Sequence, residues 1–201
     1  ADAAQTFPKE PEENLLYFIE KHAPKLENWQ RELARIVRKI AQYFYPQRQT
    51  QVMNEGWATF WHHRLINDMY DAGQIDQGIL LECLHSHTNV VRQPDYAPLN
   101  PYALGFAAWN EIERVRESPT DEDREYLPGI AGKDWLETFH DVMRNYRDES
   151  FLLQFLTPKL VRDFRLMNIQ TTEGLDHWVV SATAGSDGFK AIRTELAASY
   201  R

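Results

Sequence analysis

A carboxylate, two tryptophans and a histidine pair fall within one short run, Met53-Asn54-Glu55-Gly56-Trp57-Ala58-Thr59-Phe60-Trp61-His62-His63. On a helix, Glu55 and His62 differ by about 700° and lie nearly in line on one face, two turns apart, with Thr59 between them. Bulky aromatic neighbours exclude water and lower the local dielectric, which strengthens any charge pairing or metal bond formed there. An ionised Glu flanked by Val52 and Trp57 is costly to bury alone, so Glu55 requires a partner within bonding reach. Two turns span about 10 Å, so His62 does not close that gap unaided, and His85 or His87 is expected to approach from another helix. The plainer reading is a Trp-rich amphipathic helix with one satisfied Glu–His pair inside the core.

Further along, Glu82-Cys83-Leu84-His85 and Glu137-Thr138-Phe139-His140 repeat the Glu-x-x-His spacing that brings a carboxylate and an imidazole together on a helix. The resulting candidate set has Glu55, His62, His85 and His87 as metal ligands and Glu82 as the orienting or basic carboxylate. Zinc or another divalent ion suits such donors. A di-metal bundle drawing on Glu55, Glu111 or Glu113 and the two Glu-x-x-His pairs is a further reading, as is His140 as a surface residue among Asp141 and Arg144. His85 and His87 also read as helix-end histidines that favour the macrodipole. Cys83, between Leu81 and Leu84, reads as packing and not as a nucleophile. Gly185-Ser186-Asp187-Gly188 lacks the lysine of a phosphate loop and reads as a turn with Asp187 capping a helix.

The elements that must hold these residues are helical. Apolar positions recur at three and four from Asn14 to His22 and from Glu27 to Phe44, the latter ending at Tyr45-Pro46. A third helix, capped by Thr50 or Asn54, runs to Asp71, and a fourth spans Asp76 to about Asn89. Arg92 to Pro101 contains three prolines and must be irregular. Helical pattern resumes over Tyr102–Glu117, pauses at Ser118–Asp121, and returns over Lys133–Asp148, Phe151–Phe155 and Lys159–Phe164. Arg165–Gln170 and His177–Thr183 alternate like strands around Glu173-Gly174, before a helix over Gly188–Tyr200. The expected fold is therefore mainly α, a multi-helix domain over 1–164 with a small C-terminal β-β-α appendage over 165–201 packed on it. Trp29, Phe44, Trp57, Trp61, Trp109 and Trp135 are expected in one core.

With 201 residues and 43% hydrophobic content, the chain can bury a sizeable core. Its formal net charge of -8 lacks the basic footprint of a nucleic-acid binder, and Arg31, Arg35, Arg38 and Lys39 read as the solvated face of a helix. A single cysteine forbids an intrachain disulfide and suits a reducing compartment, the cytoplasm. No apolar run approaches the roughly 20 residues that span a bilayer, and Ala1 to Pro8 lack the order of a signal peptide.

Phe7–Pro11, Glu27–Glu32, Ile40–His62, Leu84–Asn89 and Asp148–Leu156 closely resemble the stage V sporulation protein R (SpoVR) family, and the likeness spans nearly the whole chain. That resemblance implies a bacterial cytoplasmic protein linked to spore-cortex formation, found also in bacteria that never sporulate. Family members are considerably longer and carry a His-x-x-x-Gly-His cluster upstream of the matched region, which implies that this chain is a fragment or a short member. Its partner would then be that segment or another protein, and an apolar patch left uncovered would drive self-association into a homo-oligomer. Separately, Asn54-Glu55-Gly56-Trp57-Ala58 is similar to the Asn-Glu-Gly-Phe-Ala segment of gluzincin-type zinc aminopeptidases, whose Glu is the third zinc ligand. Only Glu55 carries over, because this chain has no His-Glu-x-x-His; the imidazoles would come from His62, His85 and His87 or from the upstream cluster. Two functions stand: a metal-dependent hydrolase-like site, and a non-catalytic interaction or regulatory module with the same residues in a buried structural network.

Overall fold

The computed structural model of the chain describes residues 15–94, 97–127, 129–130, 133–171, 178–183 and 185–200, with backbone alone at 168–171, 178–179 and 186–187. Packing divides the chain into two units, residues 1–48 and 49–201. In the first, α1 (Leu15–His22) lies against α2 (Asn28–Arg48). Arg31 of α2 donates to the carbonyls of Glu20 at 2.7 Å and Ala23 at 2.6 Å, capping the end of α1 where helix carbonyls lack partners. Arg38 bonds the buried Glu20 carboxylate at 3.1 Å and lies over the Tyr17 ring. Arg31 and Arg38 are thus not a solvated face; they hold α1. The apolar side of α2 takes no part in that contact, and Trp29 and Phe44, expected in the core, are 63% and 52% exposed. Pro46 does not end α2, which runs on to Arg48. Proline there removes one backbone donor in the final turn, where little helix remains to be disrupted.

The second unit begins with α3 (Gln51–Asp71), α4 (Gln77–Val90) and α5 (Pro101–Glu117). Asp76 caps α4 by accepting from the Ile79 amide, and Asn100 caps α5 by accepting from Tyr102. The proline-rich connection between them is pinned by side chains: Asn100 bonds the carbonyls of Val90 and Arg92, and Gln93 accepts from the Asn100 amide. α3 and α5 run side by side in the same direction, because the contacts Gly56–Gly105 and Arg64–Glu113 advance together along both. α4 returns between their ends as the second arm of a short-looped hairpin.

Then follow α6 (Asp121–Tyr126), α7 (Trp135–Asn145), α8 (Asp148–Phe155), α9 (Pro158–Asp163), the antiparallel pair β1 (Asn168–Thr171) and β2 (Trp178–Ala182), and α10 (Ser186–Ala198). The six-residue α6 falls where only an interruption was expected. Thr120 and Asp123 form its capping box, and a network in which half-buried Arg114 joins buried Glu111 and Asp123, with Thr157 on Glu111, links α5, α6 and the start of α9. Arg114 holds the Asp123 carboxyl far below its ordinary range. The expected turn at Glu173-Gly174 lies outside the described residues. α10, the last part of the expected appendage, places Phe189, Ile192 and Ala197 in the same core as Trp109, Phe139 and Phe151. Trp57, Trp61 and Trp135 pack partly buried against that core. The architecture is mainly α, with ten helices among the described residues.

Candidate functional site

The helix that carries Glu55 is held unusually firmly at its start. Its first free amides, at Val52 and Met53, donate to the two oxygens of Asp148, each at 2.9 Å. Asp148 is fully buried, and its own amide donates to the Gln49 carbonyl at 2.8 Å. Burial pushes the Asp148 carboxyl above its ordinary value, against the pull of the helix amides. Thr50 occupies the N-cap position without capping, so a carboxylate from the distant start of α8 does the work of a local cap. One turn on, Trp109 donates its indole N–H to the Met53 carbonyl at 3.0 Å, and Gly56 meets Gly105 backbone to backbone.

On this fixed segment Glu55 is half-buried, and Tyr102 of α5 is the neighbour of its carboxylate. The Glu55 carboxylate raises the Tyr102 phenol above its ordinary value, since losing the proton would set two anions near each other. Glu55 therefore has the partner its burial requires, but it is a tyrosine of α5. Thr59, between Glu55 and His62, is buried and donates to the Glu55 and Gly56 carbonyls, so it takes no part in the carboxylate's contacts.

One turn along α5 from Tyr102, Phe106 packs against a group of three imidazoles. His62 and His87 stack with ring centroids 5.6 Å apart, His63 lies 5.2 Å from His87, and Phe106 meets the His87 ring edge-on at 4.9 Å. His87 is buried, and its Nε2 has no hydrogen-bond partner. Burial first, then the neighbouring His63 and His62, lower its basicity, so it is a neutral imidazole with a free ring nitrogen. Beside His63 a shallow cleft of about 390 Å³ opens between α3 and α5, lined by Asn67, Asn110 and the Arg64–Glu113 pair among others.

Of the residues singled out by spacing, the structure brings His62 and His87 together, with Glu55 on the same helix two turns earlier. His85 and Glu82 are exposed, and Asn89 lies 3.4 Å from the His85 ring. Antiparallel return of α4 places positions after His87 toward the Glu55 end and His85 away from it. His140 and Glu137 line a separate groove beside α7, and Glu111 is committed to Arg114 and Thr157, so the di-metal arrangement is not formed. His63 and Tyr102 are the members that spacing did not single out. Among the described residues, no three His, Cys, Asp or Glu side chains are placed to hold one ion.

A family model described as SpoVR like protein matches residues 1–201. The "Uncharacterized protein YcgB" of Escherichia coli (strain K12) is 54% identical over 202 residues, a match covering 98% of this chain and 40% of that relative's length. No solved structure matches the chain. Among the described residues, no helix is long and apolar enough to cross a membrane.

Proposed function

The chain belongs to the SpoVR-like family, and from that membership we propose that it supplies the carboxylate half of a divalent-metal, hydrolase-like site in a longer cytoplasmic protein acting in spore-cortex formation or stress response. The observation that carries this reading is the half-buried Glu55 carboxylate, with Tyr102 as its neighbour, on a helix start fixed by Asp148, Trp109 and the Gly56–Gly105 contact. A ligand carboxylate needs an outer partner that fixes its direction, and Tyr102 stands in that position. When bound, a zinc-like ion would supply Lewis-acid chemistry. The protein's own contribution is to hold the Glu55 oxygen in place and keep bulky aromatics beside it.

A zinc ligand atom lies about 2 Å from the ion. The described donors do not meet at one such point, so the reading draws the imidazoles for Glu55 from the part of the longer protein that this chain does not span. His62, His63 and His87 then line the approach to the site. Elemental analysis of a full-length SpoVR-like protein tests it. The wild type should carry a stoichiometric transition metal, Glu55→Gln should lose it with the fold intact, and Tyr102→Phe should weaken affinity about tenfold. Unchanged metal content in Glu55→Gln would overturn the reading. The non-catalytic interaction module is favoured by a different observation, the exposed apolar side of α2.

A further inference from the structure

The residues Trp29, Leu33, Ile36, Ile40 and Tyr43 of α2 follow a four-three-four-three spacing, the apolar seam of a coiled coil, with Val37 and Phe44 along one edge. All are exposed: Trp29 by 63%, Leu33 by 54%, Ile36 by 43%, Ile40 by 52% and Tyr43 by 69%. α1 occupies a different side of α2, through Arg31 and Arg38, and among the described residues of this unit, 15–48, the seam stays exposed. At 1.5 Å per residue the seam from Trp29 to Tyr43 is a stripe about 21 Å long.

We infer that α2 is a self-association surface on which a second copy of this chain docks its own α2 in the antiparallel direction. The charges beside the seam select that direction. With a two-fold axis midway between Leu33 and Ile36, Leu33 faces Ile36 of the second copy and Trp29 faces Ile40. Glu32 then meets Lys39 of the second copy, and the symmetry makes this pair twice. Glu32 already shares its carboxylate with Arg35 of its own helix, and both lie at the edge of the seam where a further cation is accommodated in solvent. In a parallel pairing the same positions shift, Glu32 against Val37 and Lys39 against Phe44, which strips water from both charges and gives neither a partner.

The charge assignment is tested by swapping it. In sedimentation equilibrium of the 201-residue chain over about 1 to 100 µM, the wild type should dimerise reversibly and Ile36→Asp should be monomeric at every concentration. Glu32→Lys and Lys39→Glu should each weaken the dimer about tenfold at low salt, and the double variant should recover to near wild type. Circular dichroism of each variant checks that helix content is retained. Three results overturn the inference: a wild type that stays monomeric, which would assign the seam to another part of the same chain or to a different protein; a dimer that survives Ile36→Asp; or two weakened single variants that the double variant fails to rescue.

Discussion

Tyr102 and Glu55 are neighbours across two helices, and the carboxylate sets the acidity of the phenol. The nearby anion keeps the phenol protonated above its ordinary range. The need for a partner was legible from the burial cost of Glu55 between Val52 and Trp57. Its identity was not, because a tyrosine 47 positions on carries no spacing signal; only the parallel packing of α3 and α5 brings it near. His87 supports a separate prediction. Burial and two imidazole neighbours depress its basicity below the ordinary 6.5. The unfolded chain then holds its proton more tightly than the folded one. Stability from this group is therefore complete above about pH 6.5 and falls as pH drops through that window, with a slope of at most about 1.4 kcal/mol per pH unit. Denaturant melts of wild type and His87→Gln between neutral and mildly acidic pH should diverge in this sense; parallel curves would show that His87 is not held neutral.

At the scale of elements, α3 depends on two contacts that its own sequence conceals. Asp148→Ala would strip the acceptor from the Val52 and Met53 amides inside the core, at a cost of about 2 kcal/mol. A shift of the urea midpoint well below that size would show that Thr50 or water takes over the cap. Gly56→Ala places a Cβ within 3.0 Å of the Gly105 backbone, and neither helix has a flexible side chain there to yield. The expected loss is about 3 kcal/mol, read in the same melts, and full stability would mean that the two helices slide apart freely. Most helices were legible from their three-four periodicity, and Asp76 and Asn100 cap as their residue types suggest. α6 was not legible, because it buries Asp123 through a capping box and an arginine in place of an apolar stripe. Trp29 and Phe44 misled for a related reason. Periodicity identifies an apolar face, but α1 packs on the arginine side of α2 and leaves that face open.

For the whole molecule, the match to a relative two and a half times its length gives the Glu55 site its context. The chain provides a carboxylate, its neighbouring tyrosine and a rigid helix start, and three imidazoles two turns away. The histidine group was not fully legible: His87 lies beside His62 and His63, while His85 is exposed, since helix direction and not sequence proximity decides which of the closely spaced histidines faces α3. Anomalous X-ray diffraction at the absorption edge of the bound metal, on crystals of a full-length SpoVR-like protein, tests the central claim most directly. The expected map shows an ion about 2.0 to 2.2 Å from one Glu55 carboxylate oxygen, with the Tyr102 hydroxyl on the other. An ion bound elsewhere, with Glu55 contacting only Tyr102, would contradict it.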